Sequence, residues 1–129
     1  MKKVATLAVA LGGLLGLASP AAAGVPTHNT TVTIDFVGDV YGGAFFGEVD
    51  SSKGKCFKNR PVKVKTTDAY GNTTVGVDQT NKQGEYSVID ESVASAQYRA
   101  IAKKLVFKKN NGTKKFICAK SVSGTISAP

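Results

Sequence analysis

The run Pro61-Val62-Lys63-Val64-Lys65-Thr66-Thr67 alternates apolar and polar side chains with a period of two. Successive side chains of an extended strand point to opposite faces, so Val62 and Val64 face a core while Lys63 and Lys65 face solvent. We therefore predict a strand over residues 61–67 with one buried face.

Similar alternation recurs on both sides of this run. Six further strands are predicted, over Thr31–Phe36, Phe45–Ser51, Thr73–Thr80, Glu85–Ile89, Tyr98–Lys109 and Lys114–Ser121. The side chains expected in the core include Phe45, Val49, Val75, Val77, Tyr86, Val88, Tyr98 and Ala100. Residues 92–97 are compatible with one helical turn or with a plain loop.

Short strands separated by turns every 8–12 residues or so are typical of a β-sandwich. We predict an all-β fold: a single Ig-like or prealbumin-like β-sandwich of about seven antiparallel strands over residues 24–122. Residues 123–129 are expected to form a flexible C-terminal tail.

Asn111-Gly112 is the strongest hairpin signal, because both residues tolerate the positive φ of a type I′ turn. Counting outward from a two-residue loop predicts the cross-strand pairs Lys109–Lys114, Lys108–Lys115 and Phe107–Phe116.

The two like-charged lysine pairs of this hairpin would each lower the stability of the fold by a few tenths of a kcal/mol. An anionic partner would relieve this repulsion. Alternatively, the lysines only keep exposed strands soluble and unpaired. The candidate anion-binding residues are Lys108, Lys109, Lys114 and Lys115.

The first 23 residues have the three parts of a secretory signal. Lys2 and Lys3 form a basic start, residues 4–18 an apolar middle, and Ala21-Ala22-Ala23 a small-residue cleavage site. Glycines weaken the apolar run and no basic stop-transfer cluster follows, which argues against a retained membrane helix. We expect residues 1–23 to be a bacterial signal peptide, and the mature chain to be secreted or held at the cell surface, without a membrane span.

The net charge of +8, from 17 Lys and Arg against 9 Asp and Glu, is partly due to this signal. Loss of Lys2 and Lys3 lowers the net charge to +6. Six of the remaining lysines lie between residues 103 and 115, around the predicted hairpin. Nucleic acid is not an expected partner, because the compartment is wrong and only Arg60 and Arg99 offer bidentate phosphate contacts.

Cys56 and Cys118 are the two cysteines of the chain. An even number in a small exported domain indicates a structural disulfide. A redox-active pair usually has C-x-x-C spacing, and free thiols would require a reducing compartment. The disulfide would close a loop of about 60 residues and stabilise the fold by roughly 4 kcal/mol.

Few residues could carry catalysis or bind a metal. One histidine, His28, and two cysteines are too few for a self-contained zinc site of about four ligands. A second histidine and a G-x-S-x-G motif are absent, so a His-based triad is not indicated. Paired carboxylates for glycoside hydrolysis, or a calcium site at Asp35, Asp39 or Asp50, are weak alternatives, because the acids are scattered. We expect no catalytic residue, no metal ligand and no cofactor.

Four motifs follow one another in a recognisable order: Phe46-Gly47-Glu48-Val49, Asn59-Arg60-Pro61-Val62-Lys63-Val64, Thr80-Asn81-Lys82-Gln83-Gly84-Glu85-Tyr86-Ser87-Val88 and Tyr98-Arg99-Ala100. Together they resemble the carboxypeptidase regulatory-like modules, which share the transthyretin-like sandwich. The positions of Cys56 and Cys118 resemble those in small secreted bacterial members of this family. The resemblance covers about residues 31–121. It implies a stabilising or binding module. The Tyr-Arg-Gly-Ser motif of transthyretin-like hydrolases does not follow Ser121.

The sequence thus predicts a secreted, monomeric, non-catalytic binding or structural module. Its expected partner is an anionic surface polymer, contacted through the lysine-rich hairpin, or another surface protein. The alternative is a small secreted enzyme or enzyme inhibitor that acts through the loops at residues 50–60 and 91–97.

Overall fold

The computed structural model describes residues 24–68 and 71–128. The predicted signal peptide, residues 1–23, lies outside the described residues. Among the described residues, no helix has the length and apolar character needed to cross a membrane.

Most of the described residues lie in β-strands. The twelve strands are β1 (Thr27–His28), β2 (Thr30–Val32), β3 (Asp35–Asp39), β4 (Gly42–Ser51), β5 (Pro61–Asp68), β6 (Gly71–Gln79), β7 (Glu85–Asp90), β8 (Ala96–Ala102), β9 (Leu105–Lys108), β10 (Lys114–Cys118), β11 (Ser121–Val122) and β12 (Ile126–Ala128). A 3₁₀ turn, Gly54–Cys56, lies between β4 and β5.

Two sheets form the body of the molecule. In the β4 sheet, β4 pairs with β7 along one side and with β2 and β3 along the other. In the β5 sheet the order is β11-β8-β5-β6, and β12 also pairs with β8. One core cluster draws buried side chains from both sheets, including Phe45 and Val49 from β4, Val62 and Val64 from β5, and Tyr98 from β8. This arrangement is an all-β sandwich.

A third, smaller sheet has the order β1-β10-β9. Its β1 and β10 run parallel, unlike the antiparallel pairs expected from the sequence. Cys118 at the end of β10 is bonded to Cys56 in the 3₁₀ turn, with 5.4 Å between their Cα atoms. The predicted disulfide is therefore present, and it packs with Phe116 in a second apolar cluster.

Most predicted core faces are confirmed. The alternation of β5 places Val62 and Val64 inside at 0% exposure. At Gly47 on β4, a Cβ atom would collide with the carbonyl oxygen of Thr33, so only a glycine permits the chain at Thr33 to approach β4 this closely.

Val77 is an exception, because it is 58% exposed rather than buried. The β5–β6 register shifts between Val64 and Lys65, which leaves Val75 as an extra residue on β6. After such a bulge the alternation continues on the opposite face. Val75 packs against the core, whereas Val77 lies beside Lys63 on the outside.

The structure has twelve strands instead of about seven, because three predicted strands are divided and because β1 and β12 lie outside the predicted strands. The predicted strand 98–109 divides at Lys103-Lys104 into β8 and β9, which belong to different sheets. The predicted strand 31–36 divides between β2 and β3, where the Thr33 hydroxyl accepts a hydrogen bond of 2.9 Å from the Glu48 amide. Residues 92–95 form a loop before β8.

The expectation of a flexible tail does not fit residues 126–128. They form β12, which pairs with β8 from Ala96 to Tyr98, and Ala128 is 2% exposed. The Ser123 hydroxyl, just before this strand, accepts a 2.8 Å hydrogen bond from the Ala100 amide. The end of the chain therefore covers an edge of the β5 sheet.

The β9–β10 hairpin has a three-residue loop in place of the predicted two-residue loop. The Lys109 amide donates to the Thr113 carbonyl, and the Gly112 amide donates to the Lys109 carbonyl. Gly112 has a φ of 86°, as expected for a type I turn followed by a left-handed residue. This loop pairs Lys108 with Lys114, and a bulge at Lys115 restores the predicted Phe107–Phe116 pair. The predicted Lys109–Lys114 and Lys108–Lys115 pairs are wrong.

Candidate anion-binding pocket

Arg60 is completely buried, although it carries a full positive charge. Its Nη1 donates to the Cys56 carbonyl at 2.7 Å and to the Thr30 hydroxyl at 3.2 Å. Its Nη2 donates to the carbonyl oxygens of Lys103 and Ala119 at 2.6 and 2.9 Å. These four partners are all neutral, and the Nε atom has no partner among the described residues.

Burial lowers the pKa of the Arg60 guanidinium from its ordinary value. The guanidinium nevertheless keeps its proton at neutral pH, because arginine is not deprotonated in proteins. Arg60 therefore adds a buried positive charge that carbonyl dipoles, rather than a carboxylate, stabilise. That charge strengthens the positive potential at the adjoining surface.

The backbone segments held by Arg60 carry lysines. Lys103 and Lys104 form the junction between β8 and β9, and Lys120 lies in the junction between β10 and β11. Because Arg60 binds the carbonyls of Lys103 and Ala119, it brings these two junctions to the same end of β5.

Five lysines meet in one open pocket of about 360 Å³ at this place, which we call the lysine pocket. It is lined by Lys63, Lys65, Ile101, Lys103, Lys104 and Lys120. The two lysines of β5 point outward because Val62 and Val64 point inward. The lysine stems and Ile101 give the pocket an apolar part below the ammonium groups.

The lining of the lysine pocket includes no acidic residue. On the neighbouring strand, Arg99 is the direct register partner of Lys65, so a sixth cation lies beside the pocket. Like charges at opposed strand positions destabilise a sheet by a few tenths of a kcal/mol. A bound anion would remove that cost, which is the chemistry expected of an anion-binding surface.

The hairpin lysines, Lys108, Lys109, Lys114 and Lys115, are all exposed but do not line this pocket. They lie toward the far end of the β9–β10 hairpin. Four residues of extended strand separate Lys104 from Lys108, a distance of about 13 Å. The structure therefore gives a pocket of lysines at the base of the hairpin and a second group of lysines toward its tip.

An acidic pocket of about 420 Å³ occupies the β4 sheet. Its lining includes Asp35, Glu48 and Glu85, and Glu48 is the register partner of Glu85. The Tyr86 hydroxyl donates to the Thr33 carbonyl at 2.5 Å. Burial, and secondarily the charge of Asp35, raises the pKa of Tyr86. The hydroxyl is therefore a structural donor at neutral pH and not a base.

Among residues 24–68 and 71–128, no group of three or more His, Cys, Asp or Glu side chains is arranged to hold a metal ion. Asp35, Asp39 and Asp50, the acids of the calcium-site alternative, are not part of such a group. His28 packs edge-to-face against the Phe116 ring, with 5.7 Å between centroids. Its carbonyl accepts a hydrogen bond from the Ala119 amide, so its contacts are those of a packing residue.

The two loops of the alternative interpretation lie at opposite ends of the sandwich. The loop at residues 52–60 follows Ser51, the last residue of β4. The loop at residues 91–95 begins after Asp90, which pairs with Gly43 near the start of β4. Ser51 and Gly43 are eight residues apart along β4, which corresponds to about 27 Å between the two loops. A joint site built from both loops does not fit this geometry.

Comparison of the chain with known protein families, with curated proteins and with solved structures found no match. The resemblance to carboxypeptidase regulatory-like modules therefore stays a prediction. The function has to be inferred from the surface chemistry of this chain.

Sequence reasoning missed the lysine pocket because its members come from three separated segments. The sequence pattern correctly predicts Lys63 and Lys65 on the solvent face of a strand, and it assigns Lys103-Lys104 to the hairpin. The available signal was Arg60, an isolated arginine directly before a buried strand. Its role as the common anchor follows only from the tertiary contacts.

Proposed function

We propose that the protein is an exported, non-catalytic binding module that holds an anionic polymer in the lysine pocket. The observation that carries this proposal is the meeting of five lysines from three chain segments in a pocket without an acidic lining residue. The Cys56–Cys118 disulfide supports an oxidising, extracytoplasmic compartment.

The kind of positive charge favours a flexible polymer over a single planar anion. Lysine presents a compact point charge on a mobile stem, whereas arginine is suited to bidentate recognition. All five cations of the pocket are lysines. Such a set fits repeated phosphate or carboxylate groups whose spacing can adapt to the ammonium positions.

The length of the positive surface also favours a polymer. The hairpin lysines continue the positive charge for about 13 Å beyond Lys104. A chain seated in the lysine pocket could extend along the hairpin, where Lys108 and Lys114 oppose each other. In this arrangement the pocket supplies most of the affinity and the hairpin adds weaker, screened attraction.

Calorimetric titration with inorganic polyphosphate tests the proposal, with neutral dextran as the control ligand and about 10 μM protein. If all five lysines contact phosphates, affinity should fall about a hundredfold between 50 and 200 mM NaCl, by release of counterions. Dextran should give no heat of binding. Equal affinity at both salt concentrations would contradict the proposal.

Two double variants with equal charge loss locate the site. Lys63→Gln/Lys65→Gln changes the lysine pocket, and Lys108→Gln/Lys114→Gln changes the hairpin. The pocket variant should lose about tenfold in affinity, given roughly 0.5–1 kcal/mol for each exposed charge contact. The hairpin variant should lose threefold or less. Equal losses would indicate attraction by net charge alone, and a larger loss in the hairpin variant would move the site there.

A further inference from the structure

The outer face of the β4 sheet is acidic. The strands β3, β4 and β7 contain no lysine or arginine. Their inward residues are Phe36, Phe45, Val49, Tyr86 and Val88, so the alternate positions face outward. The outward acids are Asp35, Asp39, Glu48, Asp50 and Glu85. We call this surface the acidic face.

The acidic face also carries exposed apolar side chains. Val37, Ala44 and Ile89 are register partners across β3, β4 and β7 and form one row. Val37 is 62% exposed and Ile89 is 76% exposed. In the next row Phe46 lies between Asp35 and Ser87. A contiguous apolar patch with polar surroundings is typical of a protein interaction site.

The outer face of the β5 sheet, which we call the basic face, also combines exposed apolar side chains with charged residues, and those charged residues are basic. Val77, Lys63, Ile101 and Val122 are register partners across β6, β5, β8 and β11. Val77 and Val122 are 58% and 47% exposed. The adjacent row contains Lys65 and Arg99. Asp78, on β6, instead accepts a hydrogen bond from the Ser87 amide.

We infer that the acidic face of one copy of this chain docks on the basic face of a second copy. Rows on a sheet face recur every two residues, about 6.8 Å, so the apolar and charged rows of the two faces have the same spacing. A contact between two acidic faces or two basic faces would oppose like charges. The complementary contact pairs carboxylates with ammonium groups, and it covers the exposed apolar side chains of both faces.

This contact is heterologous, so a docked pair of copies leaves one acidic face and one basic face free. Such contacts produce open chains of subunits unless the rotation closes a ring. The protein would therefore form short, head-to-tail assemblies instead of the monomer expected from its sequence. The sequence predicts a monomer because the exposed apolar side chains of the two faces depend on strand register, which the sequence pattern does not show.

The association should be weak. The acidic face consists of three strands about 4.8 Å apart, paired over about five residues each, so its contact area is roughly 250–300 Å². A stable complex buries about 800 Å² on each partner. Assembly is therefore expected at hundreds of micromolar protein in low salt, and it should weaken as salt increases.

The inference does not rest on the proposed binding of polymer, but both use the basic face. A polyanion in the lysine pocket should block docking of the next copy. Variants of the acidic face should lose assembly and keep polyphosphate binding, so the two proposals can fail separately.

Sedimentation velocity from 10 μM to 1 mM protein, at 20 and 300 mM NaCl, tests the inference. The variants Ile89→Lys, on the acidic face, and Val77→Glu, on the basic face, each block one surface. Both residues are exposed, so both variants should fold, which circular dichroism and thermal melts can verify. Wild type should assemble with concentration at low salt, and each variant alone should remain monomeric.

A mixture of the two variants is the decisive sample. Ile89→Lys keeps its basic face and Val77→Glu keeps its acidic face, so an equimolar mixture should form dimers and nothing larger. Monomeric wild type at 1 mM in low salt would overturn the inference. So would a mixture that stays monomeric, or a single variant that assembles like wild type, because that would indicate a contact between like faces.

Discussion

The guanidinium of Arg60 donates a 2.7 Å hydrogen bond to the carbonyl oxygen of Cys56. The same guanidinium binds the carbonyl of Ala119, the residue after Cys118. Arg60 and the Cys56–Cys118 disulfide therefore join the same two chain segments, one by hydrogen bonds and one covalently. These segments hold the lysine-bearing junctions that form the pocket.

Replacement of Arg60 by methionine should be strongly destabilising. The change leaves the carbonyl oxygens of Cys56, Lys103 and Ala119 without the donor that satisfies them, and burial prevents water from replacing it easily. We expect Arg60→Met to lower the free energy of unfolding by about 3–5 kcal/mol, since each buried acceptor left without a partner costs about 1–3 kcal/mol. Chemical denaturation monitored by circular dichroism measures this value.

Arg99→Met is the matched control. The Arg99 guanidinium bonds the Thr67 hydroxyl at 3.2 Å on the surface of the β5 sheet. Its loss should change stability by about 0.5 kcal/mol or less. An Arg60→Met protein as stable as Arg99→Met would show that the buried hydrogen bonds contribute little.

Removal of the disulfide should also be costly, and not independent of Arg60. The bond joins residues 62 apart, so its loss in Cys56→Ala/Cys118→Ala should reduce stability by about 4 kcal/mol. Because both links hold the same segments, a double-mutant cycle with Arg60→Met should give a coupling free energy of at least about 0.5 kcal/mol. Strict additivity would contradict this account.

The two buried tyrosines, Tyr86 and Tyr98, should make the folded protein less stable at high pH. Burial, followed by the charge of Asp35, raises the pKa of Tyr86, and burial, followed by Asp90, raises the pKa of Tyr98. An ordinary tyrosine pKa is about 10. The unfolded chain therefore loses these protons first, so their stabilising contribution is complete below pH 10 and decreases as pH rises above it.

Tyr86→Phe isolates this effect from the titration of lysines. The stability difference between wild type and Tyr86→Phe should be constant from pH 7 to about pH 9.5. It should then change by up to about 1.4 kcal/mol per pH unit at higher pH. Urea denaturation at several pH values gives this difference. A constant difference up to pH 11.5 would mean that the Tyr86 hydroxyl titrates alike in the folded and unfolded chains.

Local sequence patterns predicted the sandwich faces well but not the surface at which we propose that an anionic polymer binds. The alternation of Val62, Lys63, Val64 and Lys65 depends only on strand geometry, so it could be predicted directly. The exposure of Val77 depends on a bulge in β6, and the hairpin register on the turn type at Gly112, neither of which alternation encodes. The lysine pocket depends on Arg60 joining distant segments, which is a tertiary contact.

The central claim, that an anionic polymer is held in the lysine pocket, is tested most directly by NMR mapping. ¹⁵N-labelled protein at low concentration would be titrated with inorganic polyphosphate. The account predicts that the largest amide shift changes occur at residues 63–65, 101–104 and 119–120, with smaller changes at residues 108–115. The largest changes at the hairpin tip, or changes spread evenly over the basic surface, would contradict it.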